Sequence, residues 1–596
     1  MAKRNFIRFV ALVALIAGAF APFATVSAAV VGGEGVLTLT SPMVQDAGPV
    51  TNYLLAGGQI STFDPQIAED AVSITPIENM FLGLTDADPK TTAVRPEMAT
   101  EWKVNEAGDV WTFTLRTDVP WVRYDPQTKE VVKLRNVTAQ DFVYGIRRAC
   151  DPRTGGYYGS VAAAMIKGCD VTYRSKPEDL KEDSFEQVGV KALSDSQLEV
   201  TTQGALGYWL SASGMWVFRA TPSEVIAEFG EKWTEIGNIV TNGPYVLTEY
   251  DPATGRKFAK NPHYPEVNDR YGGNVEVVDA VVVNDAGTAF SLYQNNQIDS
   301  VGVPASELQR IRQDPELSKE LRQNSDLAVF YFGFTYDKPP FDNVHARRAF
   351  SAIIDRQQFV SEVAQGRGVP MAHFMPPGIR GAVPVNEVGI GQPNTPGFDP
   401  ELAKAELAKA GYPNCENLPE INVITFEGAS AWGEFLQQAA QTHLGCDPAK
   451  IVIEENEFTV LLKAIKRDVP TPQRPNMFTL GWGPDYPDGH NWMHDVLSCN
   501  AENNFARPCD EVIDAKIDQA GKETDPAKRE ALYRELEEDF FGPNGNFPMA
   551  PLYLRINIFM VKPWYTGFFD TDGLFGGAHW DSRAIDQAAQ LAARGR

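Results

Sequence analysis

Strands and helices interleave along this sequence, and the interleaving predicts an α/β or mixed α+β fold with mixed sheets. Three observations carry that expectation. Short runs rich in β-branched and aromatic residues recur between Val110 and Leu480, as strands require. Between them lie stretches with apolar residues three and four apart, opened by capping residues. Hydrophobic residues at 43% and charged residues at 22% give a chain that can bury a core.

Taken in order, Val110–Arg116 mixes β-branched and aromatic residues with partial alternation and reads as a strand. Thr138 with Asp141 three later resembles a capping box, opening a helix with Phe142 and Ile146 on one face. Ala280–Val283 and Leu327–Phe334 are nearly continuous apolar runs, which fit strands covered on both faces. Asn343 can cap a helix carrying Val344, Phe350, Ile353 and Ile354. Asp399-Pro400 starts another, with Leu402, Ala403, Leu407 and Ala410 inside and Gly411 as its stop. Thr524-Asp525-Pro526 opens a long helix with Leu532, Leu536 and Phe540 at fourfold spacing. No internal repeat or low-complexity linker separates these elements, so closely packed domains are expected. The 596 residues suggest about two to four of them.

Charge and the N-terminus narrow the class. Acidic residues outnumber basic ones by 78 to 53, giving a net charge of −25. That balance argues against a nucleic-acid partner, whose binders are basic. Lys3, Arg4 and Arg8 precede the 12-residue apolar run Phe9–Phe20, and Val26-Ser27-Ala28 follows. This is the pattern of a secretory signal peptide, with the cut expected after Ala28. Its loss takes the charge to −28 and leaves about 568 residues. No cysteine lies near the cut to carry a lipid. The expected location is periplasmic or extracellular.

The cysteines agree with export. Cys150, Cys169, Cys415, Cys446, Cys499 and Cys509 contain no C-x-x-C pair, so neither a zinc ribbon nor a redox motif is indicated. An even number in an exported chain suggests disulfides. Sequence-adjacent pairing closes the shortest loops; six buried free thiols are the alternative.

The search for catalytic motifs is negative: no G-x-S-x-G, no Walker P-loop and no H-E-x-x-H. His490 and His494 are four apart, as zinc ligands on one helix face are, but Asn491 stands where a metalloprotease places its Glu. The pair reads as a polar helix surface, and no metal is expected. Gly389-Ile390-Gly391 starts a dinucleotide-type pattern that Asn394 breaks, and Asp570-Thr571-Asp572-Gly573 starts a calcium loop that Leu574 breaks. No cofactor is expected.

One segment stands apart. The apolar Met477–Leu480 runs into Gly481-Trp482-Gly483-Pro484-Asp485-Tyr486-Pro487-Asp488, a strand entering a Gly-, Pro- and Asp-rich turn. Such a strand end offers backbone groups, two aromatic rings and carboxylates at one mouth. It suits an extended ligand with a positive end, Asp485 fixing the amine; an ordinary turn with solvated acids is the other reading.

Motifs in series resemble the family 5 extracellular solute-binding proteins, the peptide-binding components of bacterial ABC importers. They run from Thr62-Phe63-Asp64-Pro65 through Trp111–Arg116, Val137–Tyr144, Asp151–Thr154, Val188–Ala192, Asn242–Tyr245 and Lys260–Tyr264. Phe341–Phe350, Gly411–Pro413 and Gly481–Asp488 complete the series. The resemblance covers residues from about 50 to 565. It implies two lobes closing over a ligand, with an additional domain on the first. The implied boundaries are a signal peptide at 1–28, lobe I at 29–75, 220–325 and 561–596, the additional domain at 76–219, and lobe II at 326–560. It implies a monomeric receptor, not an enzyme, that passes peptides to membrane permease subunits. Asp485 matches the family aspartate that pairs with a peptide's α-amino group, and Gly481, Trp482, Gly483 and Tyr486 surround it. Where the family commonly has ADYPDP, this chain has Pro484-Asp485-Tyr486-Pro487-Asp488-Gly489. Family members also take nickel chelates, haem and oligosaccharides, so another solute is the alternative ligand, and a secreted hydrolase is the alternative class.

Overall fold

The structure, a computed structural model, describes residues 49–54, 60–267, 272–283, 285–385, 391–392, 395–501, 503–568 and 579–595. The expected signal peptide, most of the Gly389–Asn394 pattern and the loop at Asp570–Gly573 lie outside them.

Eleven described strands join in one mixed sheet. Leu321–Phe334 and Met549–Val561 form its spine, pairing antiparallel along most of their length. The register shifts between Ser325 and Val329 and again between Phe330 and Tyr331, which divides the spine into three stretches. On the early side, Ser300–Gly302 joins Met549–Val561, followed outward by Val50–Leu54, Val277–Val281, Gly255–Lys260 and Tyr245–Asp251. On the late side, Met477–Trp482 joins Leu321–Phe334, followed by Ile421–Phe426 and Ile451–Asn456. Val50–Leu54 runs parallel to Val277–Val281, and Ile421–Phe426 runs parallel to both its neighbours. The mixed α+β class is therefore observed.

The apolar residues sort into separate cores around that spine. One gathers Leu327 to Leu554, with Phe332, Phe350, Leu436, Phe478, Trp492 and Leu536 fully or nearly fully buried. Another gathers Ile60 to Val278 with Val561, Tyr565, Trp580 and Ile585. It includes the four-stranded sheet of Ala99–Val104, Val110–Leu115, Gln197–Thr201 and Val190–Ser194. Alternation along Val110–Leu115 follows the pleat: Trp111, Phe113 and Leu115 are buried while Val110, Thr112 and Thr114 are partly exposed. Tyr486 is the only described buried residue between 279 and 560 in this second core, with the partly buried Phe559 packed against the core.

Local chemistry sets the helix ends. Thr138 N–H donates to the Asp141 carboxylate at 2.8 Å, opening Ala139–Ala149. Asn343, Asp399 and Asp525 each accept a backbone N–H at the start of Val344–Ala352, Pro400–Lys409 and Pro526–Phe541. Ile353 and Ile354 lie just past the second of these four helices, both fully buried. In the last, Tyr533 rather than Leu532 takes the deepest position, because the apolar stripe drifts around the helix.

Each sequence-adjacent cysteine pair is joined. The Cα atoms are 5.2 Å apart for Cys150–Cys169, 5.0 Å for Cys415–Cys446 and 4.6 Å for Cys499–Cys509. No described cysteine is free.

Candidate functional site

The strand Met477–Trp482 is held along its full length by Leu321–Phe334, Met477 facing Phe334 and Trp482 facing Val329. Its other neighbour, Ile421–Phe426, pairs only with Met477 and Phe478. Beyond Phe478 that edge has no strand partner among the described residues, which leaves the backbone of Gly481 and Trp482 at an open sheet edge. Gly481 is required by packing: a Cβ there would lie 2.7 Å from the Phe330 ring. Gly483 is exposed, and a Cβ there would meet only Ala328, at 3.7 Å.

The turn delivers Asp485 to the meeting of the two cores. Tyr158, from the early half, donates its hydroxyl to Asp485 Oδ1 at 2.8 Å. Asn491, fully buried on the helix His490–Leu497, donates to Asp485 Oδ2 at 3.3 Å. Asn491 Oδ1 accepts from Asp485 N–H at 3.1 Å and from Trp482 Nε1 at 3.2 Å. One amide thus fixes Asp485 relative to the strand end. No cationic side chain among the described residues pairs with Asp485. Burial, reinforced by the nearby Asp495 charge, pushes its carboxyl up from 3.8 to about 6.

Tyr486 points the other way. It is buried in the early core, stacked on Tyr208 with ring centroids 5.5 Å apart. Its hydroxyl donates to Asp495 Oδ2 at 2.9 Å and lies 2.7 Å from His490 Nδ1. Asp488 is fully buried against Arg529 at 3.1 Å, and its Oδ1 accepts from the Tyr533 hydroxyl at 3.0 Å. The structure therefore keeps Gly481, Trp482, Gly483 and Asp485 together at one strand end, and turns Tyr486 and Asp488 into the protein.

The reading of His490 and His494 as a polar helix surface is corrected for His490; the His494 side chain is 39% exposed. His490 is 6% exposed and lies between the rings of Tyr208 and His494. Tyr158, Tyr208 and Asn491 had no signal in the sequence, since the tyrosines reach the turn only through the tertiary fold. A cavity of about 840 Å³ beside Arg148, Asp151 and Trp233 is separate: none of the residues around Asp485 lines it.

Comparisons with known proteins match this architecture. The deoxycholate-binding periplasmic protein YgiS of Escherichia coli K12, so named as probable, is 27% identical over 522 residues, 85% of this chain and 88% of the relative. The periplasmic oligopeptide-binding protein OppA of the same organism is 27% identical over 534 residues, 87% and 89% of the two chains. An unliganded open form of the murein tripeptide-binding protein MppA superposes with a TM-score of 0.72 at 22% identity, covering 90% of this chain and 97% of that one. The family model for bacterial extracellular solute-binding proteins, family 5 middle region, matches residues 93–504. The chain belongs to the family 5 bacterial extracellular solute-binding proteins.

Proposed function

We propose that the chain is an extracytoplasmic receptor that binds oligopeptides at the strand end Gly481–Asp485 and delivers them to the permease of an ABC importer. The observation that carries the reading is Asp485: a largely desolvated carboxylate with no cationic partner among the described residues, beside an open sheet edge. A peptide's α-ammonium supplies the missing charge. Its backbone can pair with Gly481, Trp482 and Gly483, giving affinity independent of side chains. The relatives named oligopeptide-binding protein OppA in Escherichia coli and Bacillus subtilis, and dipeptide-binding protein DppE in Bacillus subtilis, support this ligand class.

In this reading the protein is a secreted monomer in the periplasm or outside the cell, releases its ligand unchanged and performs no catalysis. Segments 29–75, 220–325 and 561–596 form lobe I, 76–219 the additional domain and 326–560 lobe II. Trp482 and Tyr486 serve differently: Trp482 lines the mouth, and Tyr486 anchors the turn from behind. The test is calorimetry with tri- to pentapeptides as free amines and as N-acetylated forms. One equivalent of free-amine peptide binding much more tightly than its acetylated form supports the reading. Equal affinities, or binding confined to deoxycholate or sugars in a mixed panel, overturn it.

A further inference from the structure

Behind Asp485 lies a group of side chains suited to a different ligand. On His490–Leu497 the two histidines four residues apart share a face, and Asp495 follows the second. One donor atom from each of His490, His494 and Asp495 lies within 4.8 Å of the other two. The carboxylate is oriented from behind. Asp495 Oδ2 accepts from the Tyr486 hydroxyl at 2.9 Å and from Asn491 Nδ2 at 2.9 Å. Its Oδ1 is thereby turned to the imidazoles, 2.9 Å from His494 Nδ1 and 3.8 Å from His490 Nδ1.

The rings are held as well. His490 stacks on Tyr208 with centroids 3.7 Å apart and on His494 at 4.3 Å. Gly521 makes room for it, since a Cβ there would lie 3.0 Å from His490 Cδ2. A tetrahedral ion with bonds of about 2.0–2.1 Å holds its donor atoms roughly 3.3 Å apart. The 2.9 and 3.8 Å between Asp495 Oδ1 and the two Nδ1 atoms fall on either side of that spacing, and the Tyr486 hydroxyl, 2.7 Å from His490 Nδ1, must give up that contact for the nitrogen to bind the ion. The His494 and Asp495 side chains are 39% and 26% exposed, so an ion can enter from solvent.

We propose that His490, His494 and Asp495 form a site for one divalent transition-metal ion of the zinc type, with its fourth position open to water. Two imidazoles and one carboxylate suit Zn²⁺, Ni²⁺ or Cu²⁺; Ca²⁺ and Mg²⁺ require more oxygen donors. Tyr486 and Asn491 are the outer partners that fix the carboxylate. Asn491 also bonds Asp485, so the ion's carboxylate ligand sits two hydrogen bonds from the proposed peptide anchor.

The test uses protein produced from the full sequence, purified without an affinity tag and dialysed against EDTA. Zn²⁺ is titrated in competition with a chromophoric chelator. One tightly held equivalent is expected, with affinity falling on the order of tenfold or more in His494→Asn. His494 is the chosen position because its half-exposed ring can be replaced with little loss of packing; an unchanged melting temperature in metal-free buffer checks this. Loading with Co²⁺ gives a second readout: intense visible bands of a tetrahedral site, lost in His494→Asn. Wild-type protein that fails to compete with a micromolar chelator overturns the proposal. So does a His494→Asn variant that binds Zn²⁺ and colours with Co²⁺ as the wild type does.

Discussion

Asp485 and Asp488 stand three residues apart in one turn, and the fold treats them oppositely. Asp488 is closed: it is fully buried, faces the Arg529 guanidinium at 3.1 Å, and accepts from the Tyr533 hydroxyl and from His490 N–H. Among the described residues Asp485 is left without a cation and is held by the neutral donors Tyr158 and Asn491. A carboxylate whose countercharge is built in serves the structure, because removing either partner strands the other. A carboxylate that is oriented and desolvated but not neutralised suits the role proposed for Asp485, taking its cation from a ligand. The difference lies in the partners that the tertiary fold supplies.

The largest expected effect falls on the closed member. Asp488→Asn leaves the buried Arg529 without its anion and should cost about 3–5 kcal/mol of folding stability. Chemical denaturation measures it, and a variant as stable as the wild type would show that Arg529 does not depend on Asp488. Asp485→Ala should do the reverse, leaving stability intact and weakening free-amine peptides by roughly 2–5 kcal/mol. N-acetylated peptides should barely change. Equal losses for both peptide forms in calorimetry would remove Asp485 from the amine site.

The third prediction concerns pH. Burial raises the Asp485 carboxyl to about 6, above its ordinary 3.8. The folded protein therefore binds this proton more tightly than the unfolded chain does. Its contribution to stability is greatest at low pH and is lost as pH rises through about 6. A ligand ammonium needs the ionised form. Free-amine affinity should therefore be flat only between about pH 6 and 8, fall by up to about tenfold per pH unit below that range with proton release on binding near pH 6, and fall again above it as the peptide's α-ammonium, of pKa about 8, loses its proton. Calorimetry in metal-free buffers of different ionisation enthalpy reads both. An affinity independent of pH from 4 to 8 would contradict the raised carboxyl.

What the sequence discloses about this contrast is uneven. Helix starts at Thr138, Asn343, Asp399 and Asp525 are legible because a cap is decided within four residues. The strand into the turn at Gly481 is legible for the same reason, and the family motif singles out Asp485. The roles of Asp485 and Asp488 are not separable from composition, since both are acids in a Pro-rich turn. Arg529 is supplied from a helix far along the chain, and Tyr158 arrives across 327 residues. His490 illustrates the limit most clearly. Its spacing to His494 is visible, but the Tyr208 ring that covers it comes from the other core. Asp495 and Tyr486 become its partners only once the turn and helix fold back on each other.

The smallest expected effect sharpens the comparison furthest, because it acts on the environment of Asp485 while leaving the carboxylate in place. Tyr158 donates to Asp485 Oδ1, and that hydrogen bond favours the ionised form against the burial that opposes it. The tyrosine responds in kind: burial and the Asp485 charge push its phenol well above the usual range, so it remains a donor throughout the accessible pH span. Tyr158→Phe removes the donor and keeps the ring that packs on Trp216 at 4.6 Å. With one neutral donor gone, Asp485 should hold its proton to a higher pH. The midpoint of the affinity profile should move up by about one unit or less. Well above the midpoint the affinity for free-amine peptides should change by less than about tenfold, since the ammonium then supplies a stronger partner than the lost hydroxyl. In the Asp485→Asn background the same substitution should leave the pH profile unchanged. A midpoint that stays fixed, or moves down, would mean that the Tyr158 hydroxyl does not stabilise the Asp485 carboxylate.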